Sequence, residues 1–242
     1  MSRVKICGVT SRADLATVAE AGADAVGFVV DVPVETPREV SLDRAATLAA
    51  AAPPFLTTTA VTMPGTVAEA VAVADAVGAD ALQLHADFDA DGFATVREET
   101  RATVVAALDS EAGDRARDLA AADVVDAVLV DSASDSGAGG TGETHDWEAT
   151  RALARELGDE FGVPTVLAGG LTPENVTAAI RTVRPYAVDV ASGVETTGGR
   201  KDEAAVEAFV TNAGRAPSDP GPTPAPIPEV DVEQSRDGGG VS

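Results

Sequence analysis

Short apolar runs and longer amphipathic stretches alternate along most of the chain. The runs Val4–Cys7, Ala25–Val30, Leu56–Val61, Ala81–His85, Thr103–Leu108, Ala127–Asp131, Thr165–Ala168 and Ala187–Ala191 are rich in Val, Ile, Leu and Ala and read as strands. Each precedes a segment able to form a helix, with starts near Arg12, Leu42, Val67, Asp91, Glu111, Trp147, Pro173 and Asp202. Several follow a Ser, Thr or Asp whose side chain can accept a hydrogen bond from the first turn. Pro173 suits a first helical turn, where its missing N–H would have no partner.

Eight successive βα units without a large insertion predict an α/β fold, a single-domain (β/α)8 TIM barrel over residues 1–214, rather than an open doubly wound sheet. The 242 residues agree with the usual size of such a barrel, about 250. After Gly214 the composition changes to APSDPGPTPAPIPEV and then SRDGGGVS, so residues 215–242 are expected to form a disordered, solvated tail, with a docking segment as the alternative.

Hydrophobic residues make up 45% of the chain but aromatics only 3%, so Ala and Val must fill most of the core. Forty acidic against 17 basic residues give a net charge of −23, which repels phosphate backbones and anionic lipid and argues against nucleic acid or membrane partners. The acids are spread along the chain rather than gathered in a tail. Such a surface repels itself in dilute buffer and is tolerated where dense salt screens it, as in the cytoplasm of a halophile; an ordinary acidic protein is the alternative. Cys7 is the only cysteine, which excludes an internal disulfide, and neither a signal peptide nor an apolar span is evident. The expected location is cytoplasmic.

In a barrel the chemistry gathers where strands end. The strand ends here read KICGVT, the segment leading to TPREVS, LQLHAD, VDS before SGAGGTGETHDW, AGGLTPENV and DVASGVE. Alternation along the first strand puts Lys5 and Cys7 on one face, where the lysine could lower the thiol pKa. Alone, Cys7 could equally be a buried small hydrophobe. Asp131 follows the apolar AVLV and is either an acid kept protonated by burial or a loop carboxylate. His85, with Gln83, is either a substrate contact or a core histidine. Gly169 and Gly170 after the seventh strand, with Ser192 and Gly193 after the eighth, stand where barrels bind phosphate through backbone N–H groups. The glycine-rich run after Asp131 lacks the spacing of a dinucleotide fingerprint and reads as a mobile loop.

The ordered series KICG, GGTG with DW, GGL-PENV, and DV-SGVE followed by KD resembles the phosphoribosylanthranilate isomerase family over roughly residues 3–210. The resemblance implies an aldose-ketose isomerase of the intramolecular oxidoreductase class, acting in tryptophan biosynthesis. Its reaction would be an Amadori rearrangement of N-(5-phosphoribosyl)anthranilate to 1-(2-carboxyphenylamino)-1-deoxyribulose 5-phosphate, with no cofactor and no metal. It further implies Cys7 as general base, Asp131 as general acid, Arg38 on the anthranilate carboxylate, and Asp189 and His85 as substrate contacts. The partner is then a small phosphosugar, and the protein a monomer or homodimer. The segment DVPVE before TPREVS departs from the family pattern, as do Ala86, where glycine is usual, and His145, where an aromatic residue often precedes DW.

Overall fold

The computed structural model describes residues 2–131 and 147–214. The expectations for the glycine-rich loop, His145 and residues 215–242 fall outside them.

Eight strands, β1 (Arg3–Cys7), β2 (Ala25–Val29), β3 (Thr57–Thr62), β4 (Ala81–Leu84), β5 (Thr103–Asp109), β6 (Ala127–Asp131), β7 (Thr165–Ala168) and β8 (Ala187–Val190), alternate with eight helices. The helices are α1 (Arg12–Glu20), α2 (Leu42–Ala49), α3 (Val67–Val77), α4 (Ala90–Glu99), α5 (Gly113–Ala121), α6 (Trp147–Phe161), α7 (Val176–Val183) and α8 (Glu203–Gly214). The strands are all parallel and close in sequence order, β1 pairing with β8 through Lys5 opposite Asp189 and with β2 through Cys7 opposite Gly27. This is the expected (β/α)8 barrel. Among the described residues no helix is long and apolar enough to cross a membrane.

Several helix starts follow from visible caps. Ser11 accepts from the N–H of Asp14, Ser41 from Arg44 and Asp89 from Gly92, while Thr66 and Glu69 close a reciprocal capping box. At the opposite end of the barrel three acidic residues have structural work. Asp24, Asp80 and Asp126, each just ahead of an even-numbered strand, accept the N–H of Val4, Thr58 and Val104, all at 2.8 Å. Each carboxylate thereby fastens the start of one strand to its neighbour and satisfies a donor that strand pairing leaves open.

Outward residues of the strands, among them Val4, Ile6, Val26 and Phe28, pack with the helices into the main core. The barrel interior is filled by a small layer of Ala107, Leu129 and Ala168 against Val105 and Val166. Small side chains here leave room above them for the buried polar residues Lys5, Thr59, Gln83 and Asp189.

After β6 two details differ from the expectations. Helix α7 begins at Val176, and Pro173 lies in the turn before it, because Asn175 Oδ1 takes the N–H of Thr172 at 2.8 Å and shapes that turn. Between β8 and α8 the chain also forms a short 3-10 turn (Ser192–Val194) and an antiparallel hairpin of β9 (Glu195–Thr197) and β10 (Arg200–Lys201), an addition the apolar pattern does not reveal.

Candidate active site

The C-terminal ends of the strands surround a cavity of about 310 Å3. Cys7, Arg38, His85, Asp131, Gly169, Gly170, Asp189, Ser192 and Gly193 all line it. Thus β1, β4, β6, β7, β8 and the β2–α2 loop each deliver a sequence-selected residue to one space. Val32, Val34 and Met63 give part of its wall an apolar character. A larger concavity of about 560 Å3 runs along the outer face of α6, lined by charged residues that include Glu148, Arg151, Arg155 and Asp159. Its charges pair along the helix, Arg155 with Asp159 at 3.2 Å for example, and it lies away from the strand ends.

Lys5, Cys7 and Asp189 form the floor. Lys5 Nζ donates to Asp189 Oδ2 at 2.9 Å, and both side chains are nearly enclosed. The Lys5 ammonium also lies near enough to the Cys7 thiol for each to shift the other's pKa. Burial works to discharge Lys5, but Asp189 and Cys7 outweigh it and hold its pKa above the ordinary value, so it is a cation. For Cys7 the balance runs against the sequence expectation. Burial pushes the thiol pKa up by more than Lys5 pulls it down, and the net direction is upward. Asp189 Oδ1 is buried without a hydrogen-bond partner. An orphan acceptor of this kind costs about 1–3 kcal/mol until a donor reaches it.

His85 Nε2 lies 3.0 Å from Gln83 Nε2. An amide NH2 only donates, so this contact is a hydrogen bond when His85 carries its proton on Nδ1. Burial, the largest influence, lowers the His85 pKa despite the nearby Asp131, which favours that neutral form.

On the phosphate side, Gly169 and Gly170 have φ of 87° and 61°, a left-handed pair that turns the backbone sharply after β7. The N–H groups of Gly170, Ser192 and Gly193 donate to no described residue outside the 3-10 turn itself. Gly193 also has a packing duty, because a Cβ there would sit 1.9 Å from the Leu171 carbonyl oxygen. A substitution at this position tests the fold before it tests a ligand.

Arg38 has an internal partner that the sequence does not announce. Its Nε and Nη2 donate to Glu195 Oε1 and Oε2 at 2.9 and 2.8 Å, and Lys201 Nζ donates to Glu195 Oε1 at 2.8 Å. Glu195 and Lys201 were legible only as the last letters of DVASGVE and the first of KD. The available signal was that Lys201 is one of two lysines in a chain that otherwise uses arginine.

Fold and site together define a (β/α)8 barrel enzyme with a thiol, carboxylates, an imidazole, a guanidinium and two glycine-bearing turns around one cavity. Residues 4–212 match the family described as N-(5'-phosphoribosyl)anthranilate (PRA) isomerase. The chain belongs to that family, and its function is isomerisation of PRA in tryptophan biosynthesis. The PRA isomerase of Haloferax volcanii is 59% identical over 216 residues, covering 89% of this chain and 95% of that protein. That of Halobacterium salinarum is 54% identical over 220 residues, covering 90% and 98%. A crystal structure of the Thermotoga maritima enzyme superposes with a TM-score of 0.76 at 34% identity, covering 88% of this chain and 99% of that one. A further crystal structure of a PRA isomerase, in complex with reduced 1-(o-carboxyphenylamino)-1-deoxyribulose 5-phosphate, matches with a TM-score of 0.70 at 33% identity over 88% of this chain and 99% of that one.

Proposed function

We propose that the isomerisation proceeds by general acid-base catalysis, with Asp131 as the acid and Cys7 as the base. Asp131 gives a proton to the furanose ring oxygen as the C1'–O bond breaks and the anthranilate nitrogen supplies its lone pair. Cys7 then takes the proton from C2', and the resulting enol collapses to the ketone as C1' is protonated. C1' is reduced and C2' oxidised within one molecule, which makes the enzyme an intramolecular oxidoreductase. No external redox partner, metal or organic cofactor enters this balance.

The observation that carries the reading is the convergence of Cys7 and Asp131 on one cavity with groups suited to each part of this substrate. The unpaired Asp189 Oδ1 accepts a sugar hydroxyl, and neutral His85 offers Nδ1–H. Lys5 beside the thiol stabilises the thiolate, while burial makes that thiolate a stronger base than an exposed one. Arg38 takes the anthranilate carboxylate, and the N–H groups of Gly169, Gly170, Ser192 and Gly193 take the phosphate. The ligand named for the related complex carries the same carboxylate, hydroxyls and phosphate. A dimer is named for the Thermotoga maritima protein, and for this chain the reading is a monomer or homodimer. The acidic composition and the haloarchaeal relatives support a cytoplasmic enzyme adapted to salt, without nucleic acid or membrane partners.

Replacement of Cys7 by Ala and of Asp131 by Asn tests the assignment. Each should lower kcat by about 10²–10⁴, the usual contribution of an acid or base, with the melting temperature retained. Near-normal turnover by either folded variant, with the chemical step limiting, removes that residue from the mechanism.

A further inference from the structure

The hairpin after β8 packs onto the loop that carries Arg38. A side chain at Gly198 would come within 2.6 Å of Pro37 Cγ, and one at Gly199 within 2.2 Å of the Pro37 carbonyl oxygen. Thr10 donates to the Gly199 carbonyl at 2.9 Å, and Lys201 N–H reaches Asp14 Oδ1 at 3.3 Å, so the hairpin is tied to the β1–α1 region as well. On the other side of the arginine, a Cβ at Gly8 would lie 2.7 Å from Arg38 Cδ, so the aliphatic stem rests directly on the backbone after β1. Arg38 is therefore held along its length.

The charges at the tip follow a definite order. Glu195 and Lys201 have side chains 4% and 0% exposed, whereas that of Arg38 is 25% exposed and lines the cavity. Lys201 also donates to the Ala191 carbonyl at 3.1 Å, and the N–H of Gly199 reaches Glu195 Oε2 at 3.2 Å. Burial alone would raise the Glu195 pKa, but the hydrogen bonds from Arg38 and Lys201 bring it below the ordinary carboxylate value. The buried pair Glu195–Lys201 is neutral as a unit, and Arg38 keeps the net positive charge.

A guanidinium presents two edges to carboxylates, one made of Nε and one Nη, the other of both Nη nitrogens. Glu195 occupies the first, using Nε and Nη2. The second edge stays open with its fork geometry intact. We propose that Glu195 is a positioning residue, neutralised by Lys201, that fixes the plane of Arg38 so that its open edge receives the substrate carboxylate. This rests on the reading of Arg38 as the carboxylate contact. Recognition of the aromatic acid then depends on a hairpin some 157 residues from Arg38 in sequence, and the side chain arrives with its rotamers already restricted.

The test compares Arg38→Ala, Glu195→Gln and the double variant in the isomerase assay, with inhibition by free anthranilate and by inorganic phosphate measured alongside. Glu195→Gln should raise KM and the anthranilate inhibition constant by about tenfold, the scale of a charged hydrogen bond, with a smaller effect on kcat. The phosphate inhibition constant should not move. In the Arg38→Ala background the Glu195→Gln change should have no further effect on KM, which a purely structural role would not produce. An unchanged KM in folded Glu195→Gln, or an equal loss in both backgrounds, overturns the clamp. An unchanged KM in Arg38→Ala overturns the reading beneath it. If Glu195→Gln unfolds the barrel by stranding the Lys201 charge, the pair Glu195→Gln with Lys201→Met removes both buried charges and carries the same measurements and the same expected outcomes.

Discussion

Replacing Gly27 by Ala probes the floor of the cavity without replacing either group proposed to act there. Gly27 stands opposite Cys7 in the ladder between β1 and β2. A methyl group at this position lies 2.9 Å from Cys7 Sγ, 3.1 Å from Lys5 Nζ and 3.3 Å from Cys7 Cα. Non-bonded atoms of this kind settle at about 3.5–4.0 Å, so the thiol and the ammonium must each retreat by roughly 0.5–1 Å. Lys5 cannot do so freely, because Asp189 holds it at 2.9 Å, and the thiol can yield only by turning about its single torsion toward the cavity it lines. Overpacking of this degree costs about 1–3 kcal/mol, which lowers the melting temperature of a domain of this size by about 2–12 °C. A proton-transfer group displaced by about 1 Å loses about 10²-fold in rate. The expectation is a kcat lowered about 100-fold with a smaller change in KM, since the three atoms nearest the added methyl group belong to Cys7 and Lys5 and none to the groups proposed to hold the carboxylate, hydroxyls and phosphate. Gly158→Ala is the control, because nothing lies within 4 Å of its added methyl group. That change should leave activity intact and stabilise the helix by about 0.5–1 kcal/mol. Wild-type kcat in Gly27→Ala, with chemistry limiting, would refute the placement of the base at Cys7 beside Lys5.

Two further expectations concern pH and salt. Because burial raises the Cys7 pKa above the ordinary thiol value of 9.0, kcat/KM should still be climbing at pH 9.0 rather than flat from neutrality, and a plateau reached below pH 8 would count against a thiolate base in this environment. The same shift means that above pH 9.0 the unfolded chain releases a proton that the folded one retains, so stability falls as pH rises through that window; Cys7→Ala should flatten this slope in melts followed by circular dichroism. With a net charge of −23, the melting temperature should rise from dilute buffer to molar KCl, where the Debye length shrinks to about 3 Å. Salt also weakens attractive pairs such as Arg97–Asp126, Arg115–Asp87 and Arg117–Glu156, but the 40 acids outnumber the bases that could partner them, so repulsion dominates; a flat or falling series would refute the salt adaptation.

The fold could be read from the chain because a barrel asks little of any single contact. Every barrel strand lies within one residue of its apolar run, and helices at Arg12, Leu42 and Val67 begin where expected, each behind a Ser or Thr that caps it. The misses share a cause. Helix α5 starts at Gly113 rather than near Glu111, with Ala112 before it offering no side-chain cap, and α7 starts after Pro173 because Asn175 shapes the preceding turn. In both places a local bond decides, Ala112 N–H to the Asp109 carbonyl at 2.9 Å before α5 and Thr172 N–H to Asn175 before α7, not the hydrophobic period. The β9–β10 hairpin is short and the side chains it buries, Glu195 and Lys201, are charged, so it writes no apolar alternation, and only the paired glycines at its tip hinted at a turn.

The site divides along the same line. Residues that line the cavity were accessible to sequence reasoning because the barrel itself sends the ends of its strands to one face. Residues that tune them were not. Whether Lys5 lowers the Cys7 pKa depends on how burial compares with one nearby charge, and spacing along β1 reports the charge but not the burial. Gly27 matters through a ladder neighbour on another strand, and Glu195 through an arginine that the chain reaches only after closing the barrel. Such contacts have no periodicity and no local signature, since their partners are brought together only by the closed sheet. It follows that in this barrel the identity of the groups proposed to react is written in the sequence of the strand ends, while their pKa shifts and orientation are written in the packing of β2 and the hairpin. Substitutions at Gly27 and Glu195 should therefore alter rate and recognition separately, the first through kcat and the second through KM, although neither residue is proposed to contact the substrate.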